Sequence, residues 1–266
     1  MNTGFKDHFS GHASDYAAFR PGYPKALFVW LAEQAPGRLL AWDCACGNGQ
    51  AAIGLSVHFD HVLASDASEA QIRAAQFTVG SGGNISYRVE PAEQSSLKPG
   101  SADLVTVAQA FHWLDQRRFE REVERVLRPG GILAIWTYTL AEVSEEIDAV
   151  VQNFYQGAID PYWPPERRLV EQGYRNQLFP WPELETPQFN MELNWDQGRF
   201  EAYLRTWSAV QRFMEETGID PLAELHKKLS QVWGDSNRER RIRWPVILRA
   251  FRINALQVQS VTGTAS

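Results

Sequence analysis

An acid followed by a run of small residues, Asp43-Cys44-Ala45-Cys46-Gly47-Asn48-Gly49, is the stretch of this chain best equipped for chemistry. An apolar run, Leu39 to Trp42, precedes it, and the helix-like pattern Gln50-Ala51-Ala52-Ile53-Gly54-Leu55 follows. Strand, tight turn and helix N-terminus is the geometry by which α/β folds hold the charged end of a nucleotide-like cofactor. Small residues let the backbone approach closely, and unpaired N–H groups at the helix start donate to an anion.

The acid decides which cofactor suits the loop. In a dinucleotide site the turn must accept a doubly charged pyrophosphate, and Asp43 would sit beside it. At an effective dielectric of about 20 and about 5 Å, each like-charge pair costs on the order of 3 kcal/mol. A cofactor tail with an ammonium as well as a carboxylate turns that penalty into attraction, and S-adenosylmethionine carries both. A second acid, Asp66, ends the short apolar run His61 to Asp66 about 20 residues on, where it can accept both ribose hydroxyls of a nucleoside. That placement is shared by NAD sites, so an NAD-dependent oxidoreductase is kept as an alternative.

The loop resembles the D/E-x-G-x-G-x-G segment of class I S-adenosylmethionine-dependent methyltransferases, with Ala45 in place of the first glycine. A Cβ there is harmless at negative φ and costs about 1 kcal/mol or more in the left-handed region. The substitution keeps a non-catalytic S-adenosylmethionine-binding protein open as another alternative. The lead-in Phe9-Ser10…Tyr16-Ala17…Phe19-Arg20-Pro21-Gly22-Tyr23-Pro24, the segment Ala110-Phe111-His112-Trp113-Leu114-Asp115 and Thr206-Trp207-Ser208 resemble the methyltransferase type 11 and trans-aconitate methyltransferase-like group.

The resemblance implies site residues beyond the loop. Tyr16 and Arg20 would close over the cofactor, whose amino-acid end meets Asp43, Ala45, Cys46, Gly47 and Gly49. Ala67, after the ribose acid, would pack on the adenine, with Ala92 and Glu93 at its edge. Gln109, Ala110, His112 and Trp113 end the fourth strand, and ligands of doubly wound folds lie off the carboxyl ends of strands. His112 is the nearest titratable candidate for a base if the acceptor is a hydroxyl or amine. A carboxylate acceptor needs no base but an orienting arginine, for which Arg20, Arg175 and Arg205 are candidates. Large aromatics line pockets as well as cores, which brings Tyr162, Trp163 and Trp207 into the acceptor set. The relatives' preference for small carboxylic acids implies carboxyl O-methylation.

The elements that must position these residues follow from periodicity. Strands are expected at Ile85–Val89, Ala102–Ala108, Ile132–Trp136 and Gln188–Trp195, the last with Phe189, Met191, Leu193 and Trp195 on one face. Helices are expected after Pro24 (with Leu27, Phe28, Trp30 and Leu31 inward), over Phe119–Leu127, from Phe200 to Val210 and over Leu222–Trp233. The basic run Arg238 to Arg243 leads into alternation of Ile242, Trp244, Val246 and Leu248, which reads as a strand with one wet face. The whole is an α/β, Rossmann-like doubly wound, mostly parallel seven-stranded sheet, with an N-terminal helical segment and a helical substrate lid inserted after the fifth strand. As one domain over 1–266, it divides into a cover (1–36), a cofactor core (37–140), the lid (141–182), remaining strands and helices (183–256) and a polar tail (257–266).

Bulk composition narrows the partners. With 266 residues and a formal net charge of −6, the chain suits a globular enzyme and not a surface for a phosphate backbone. Neither a signal-peptide pattern nor a membrane-length apolar run occurs, so a cytoplasmic protein with a small-molecule acceptor is expected. The two cysteines, Cys44 and Cys46, are too close for an unstrained disulfide, and a metal would need more ligands than His58 and His61 supply. They read as small buried loop residues.

Overall fold

A computed structural model describes residues 20–79 and 83–253. Tyr16, the rest of the expected cover before Arg20 and the expected tail lie outside the described residues.

The strands are β1 (Leu40–Cys44), β2 (His61–Asp66), β3 (Ile85–Val89), β4 (Ala102–Ala108), β5 (Leu127–Tyr138), β6 (Phe189–Trp195) and β7 (Arg240–Arg252). They form one seven-stranded sheet in the order β3-β2-β1-β4-β5-β7-β6. β1 to β5 pair in parallel, and β7 runs antiparallel between β5 and β6. The chain leaves β1 in one direction and resumes at β4 in the other. The crevice at such a reversal is where doubly wound sheets bind ligands.

Strand alternation builds a core on each face. Ala41, Leu104, Ile132, Ala134 and Trp136 face one side, with α1 (Lys25–Gln34), α2 (Gln50–Ser56) and α5 (Glu145–Gln156). Trp42, Val105, Val107, Leu133 and Ile135 face the other, against Phe119, Val123 and Val126 of α4 (Gln116–Val126). Because parallel strands are covered on both faces, β4 reads as a continuous apolar run broken only by Asp103 and Thr106. Asp103 ties the sheet at its lower end, accepting from the Leu39 and Leu40 amides at 2.9 and 3.0 Å and pairing with Arg128 at 2.9 Å.

Most expected elements form, with three differences. The helix expected from Phe200 to Val210 is two: α7 (Gln197–Arg205), capped by Asp196, and α8 (Ser208–Thr217). Trp207 between them is extended and its ring is buried among Tyr155, Trp163 and Tyr203, so packing interrupts the helix. β5 begins earlier than expected, running through Arg128-Pro129-Gly130-Gly131. Leu193 does not join Phe189, Met191 and Trp195 inside but is exposed, because β6 is an edge strand. α9 (Leu222–Trp233) and the one-sided β7 form as expected. After β5 come α5, a short turn at Asp160–Tyr162 and α6 (Arg167–Glu171). α3 (Glu69–Val79) completes the helices flanking the parallel half. Among the described residues no helix is long and apolar enough to cross a membrane.

α1 lies against α2 because Gly54 has no side chain: a Cβ there would fall 2.2 Å from the buried Phe28 ring. Gly54→Ala gains about 1 kcal/mol of helix propensity. It overpacks this contact by about 1–3 kcal/mol. A net loss of thermal stability is expected, and Phe28→Leu in the same chain should recover part of it; a rise in Tm for the single variant would refute the packing argument.

Candidate active site

The loop after β1 is closed by its own hydrogen bonds. The Cys46 amide donates to the Ser65 carbonyl and the Gly49 amide to the Cys46 carbonyl, both at 2.9 Å. The Gly47 amide donates to Asp66 Oδ2 at 2.9 Å, and the Ser68 amide to Asp66 Oδ1 at 2.8 Å. Asp66 therefore does more than end β2: it holds the loop after β1 against the turn after β2. The Cys46, Gly47 and Gly49 amides thus have partners within the protein, and the N–H groups expected to meet an anion are those at the start of α2, after Gly49. Gly49 adopts φ +84 as the N-cap of α2, where a Cβ would meet the Tyr87 hydroxyl at 3.1 Å.

Asp43 lies fully buried beneath this loop. Thr106 Oγ1 donates to its Oδ1 at 2.9 Å, while its Oδ2 has no hydrogen-bond partner. Burial pushes its pKa from the ordinary 3.8 to about 7; Thr106 and the Ala52 amide oppose that rise, and Asp66 adds to it. The resting group is thus poised between acid and carboxylate, which modifies the simple picture of a permanent anion. A cation at Oδ2 would complete the site and draw off the proton. Cys44 and Cys46 are buried free thiols, both held well above their ordinary pKa by burial.

Non-glycine residues at positive φ gather at the carboxyl ends of β1 and β4. Ala45 has φ +51, the strained case for the glycine replacement, and Gln109 has φ +58. The Gln109 amide donates to the Trp136 carbonyl at 2.9 Å, and its side-chain oxygen accepts from Thr137 at 2.8 Å. Its side chain is therefore anchored to β5. Ala110 is half-buried beside it, Ala67 is exposed at the crevice rim and Ala92 is buried. Glu93 accepts from the Asp115 amide at 2.9 Å, a tie to the start of α4.

Beyond Ala110, the turn Phe111–Trp113 carries His112, with its ring 4.7 Å from that of Trp113 and its Nδ1 3.0 Å from the Tyr174 hydroxyl. Burial, helped by Arg167, lowers its pKa to about 3, so the imidazole is neutral throughout the working range and a weak proton acceptor. Tyr174, also at positive φ (+57), is buried with its phenol pKa raised. The base role expected of His112 loses its footing; a contact role does not.

The insertion after β5 supplies an aromatic wall. Trp163 lies 5.0 Å from Tyr155 and 5.8 Å from Trp207. Arg20 donates to the Tyr138 hydroxyl and, at 3.5 Å, to the Thr206 carbonyl, with its guanidinium 5.3 Å from the Tyr203 ring. Tyr162 turns away, packing 5.0 Å from Phe213 on α8. Two expected arginines are not brought to this wall. Arg175 is exposed after α6, and Arg205 pairs with Asp220 at 2.8 Å. Arg167, Tyr155, Tyr174 and Thr106 join the site although nothing in the sequence singled them out as its residues. Thr106 alone carried a signal, a hydroxyl inside an apolar strand.

Fold and site together define a class I methyltransferase, and comparison with known proteins agrees. The methyltransferase domain family model matches residues 42–135, β1 through most of β5. A provisionally named methyltransferase from Dictyostelium discoideum is 31% identical over 242 residues, covering 88% of this chain and 90% of the relative. The solved structure of a provisionally named type II methyltransferase from Anaeromyxobacter dehalogenans superposes with a TM-score of 0.83 at 48% identity, covering 89% of this chain and 99% of that one. A Saccharomyces cerevisiae protein provisionally named an S-adenosylmethionine-dependent methyltransferase is 30% identical over 135 residues, 49% of this chain and 46% of the relative. The chain belongs to the class I methyltransferase family.

Two outcomes follow from the loop. Ala45→Gly relieves the left-handed Cβ and should raise stability by about 1 kcal/mol, read as a higher denaturation midpoint. For Asp43, the folded chain keeps a proton that the unfolded chain has lost between its ordinary pKa of 3.8 and about 7. Stability of the ligand-free chain should therefore fall as pH rises through that window, by up to about 1.4 kcal/mol per unit from this group. Denaturant melts of wild type and Asp43→Asn should differ in that slope, and equal slopes would return Asp43 to an ordinary pKa.

Proposed function

We propose that this chain binds S-adenosylmethionine and transfers its methyl group to a small molecule, with a carboxylic acid as the acceptor. The observation that carries the reading is Asp43 Oδ2, a buried carboxylate oxygen with no partner beneath a small-residue loop. An ammonium satisfies it, whereas a diphosphate brings a second negative charge to it. The family assignment removes the oxidoreductase alternative. The residues that would hold the cofactor are Asp43 at the ammonium, Gly47 and Gly49 where the backbone closes in, and Asp66 at the ribose. Ala67 and Ala92 would meet the base, and Gln109 and Ala110 the side facing the acceptor.

S-adenosylmethionine, when bound, supplies a methyl on a sulfonium; the acceptor oxygen's lone pair forms the new O–C bond as the S–C bond breaks, leaving a neutral thioether. No proton moves when the acceptor is a carboxylate. The chain's own task is then to align the acceptor and exclude water, a contribution worth several kcal/mol. Neutral His112 favours this acceptor over a hydroxyl or amine, because a group with a pKa of about 3 takes up a proton poorly. Trp113, Trp163 and Trp207 would cover the apolar part of the acceptor. The helices inserted after β5 serve as the lid in this reading.

Calorimetric titration should show binding of S-adenosylmethionine and none of NAD. Affinity should rise with pH up to about 7, as Asp43 gives up its proton. Asp66→Ala should weaken binding at least tenfold, through lost ribose contacts and a loosened loop. Labelled-methyl transfer over small acids, phenols and amines should then select acids. Binding without transfer to any of them would support the non-catalytic alternative, and NAD binding alone would sink the proposal.

A further inference from the structure

Arg167, the first residue of α6, is held in a way that leaves its charge unspent. Its Nε donates to the Tyr155 hydroxyl at 2.9 Å, and its guanidinium lies 4.7 Å from the Trp163 ring and 5.7 Å from that of Tyr155. Glu171, one turn along α6, accepts a hydrogen bond from that same phenol and does not pair with the arginine. No carboxylate among the described residues forms an ion pair with Arg167. Other partly buried arginines are engaged: Arg128 by Asp103, Arg205 by Asp220 and Arg249 by Glu183. α6 packs against the Phe111–Trp113 turn at the end of β4, and the charge of Arg167 is felt at both His112 and Tyr174.

A guanidinium seated on an indole and fixed through Nε keeps its terminal N–H groups in a planar fork, the geometry that meets a carboxylate with two parallel hydrogen bonds. We propose that Arg167 is the residue that selects the methyl acceptor, pairing with a carboxylate of that molecule between Trp163 and His112. This rests on the acid-methylating reading above and supplies the anchor that Arg175 and Arg205 do not. Tyr155 acts as a positioning residue, since it seats the arginine without itself reaching the acceptor.

The test uses benzoate and succinate as probes and benzamide as the uncharged control, each titrated by NMR into the full chain with and without S-adenosylhomocysteine. Wild type should bind both carboxylates and prefer benzoate to benzamide. Arg167→Gln should lose about tenfold or more of its affinity for the carboxylates, as expected for a hydrogen bond to a charged group, and leave benzamide unchanged. Arg167→Lys should recover part of the loss, and Tyr155→Phe should weaken carboxylates while keeping the charge. S-adenosylhomocysteine affinity, measured alongside, should be equal in all four proteins and reports that the variants fold. Undiminished benzoate binding by Arg167→Gln, or no preference for benzoate over benzamide in wild type, overturns the assignment. Failure of S-adenosylhomocysteine to bind wild type overturns the cofactor reading instead, and the carboxylate comparison is still read without it.

Discussion

A carboxylate buried in a protein without a cation must either lose its charge or find one, and Asp43 is built to wait. It projects from β1, an inner strand of the sheet, beneath a loop that seals it from water. Thr106 donates to one oxygen, the other has no hydrogen-bond partner, and the Ala52 amide offsets the charge only in part. Desolvation of an ionised group costs several kcal/mol in a real protein, so the site rests with its proton partly on. The surrounding construction maintains that tension: Asp66 clamps Gly47, the Gly49 turn places α2, and Gly54 lets α1 pack close behind.

The other half of the site follows a different logic. The parallel strands end at one edge, and whatever is inserted after β5 must fold back over that edge or leave it open. Here the insertion brings Tyr155 and Trp163 against Trp207, which packs on Tyr203, and seats Arg167 over the Trp163 ring. Interlocked rings give a wall that is rigid and apolar, with polar edges available for orientation. His112 packs against Trp113 and Tyr174, and burial keeps it neutral. Strain gathers at the same edge, in the left-handed backbones of Ala45, Gln109 and Tyr174. Positions held in sparsely populated conformations cluster where function sets the backbone path.

Much of this architecture was legible in the amino-acid order, for local reasons. The apolar run of β4 and the alternation along β7 appear within a few residues of their expected bounds, because burial on two faces or one writes itself directly into hydrophobic period. α9 spans the expected residues at both ends. Where local pattern competed with distant packing, packing won. Trp207 broke a helix to reach its aromatic neighbours, and Leu193 stayed out because its strand lies at the sheet's edge.

The acid of the loop, its small-residue composition and the second acid at the end of β2 are properties of order and spacing, and they point to the family without coordinates. How each arginine is engaged is not such a property. Arg20, Arg167, Arg175 and Arg205 are indistinguishable as letters; they differ because Arg205 meets Asp220, Arg175 meets solvent and Arg167 meets Trp163. The lowered pKa of His112 and the raised pKa of Asp43 were likewise decided in three dimensions. The physical reason is common to all of them. Desolvation and pairing depend on neighbours brought from far along the chain, whereas period and turn chemistry depend on neighbours in sequence.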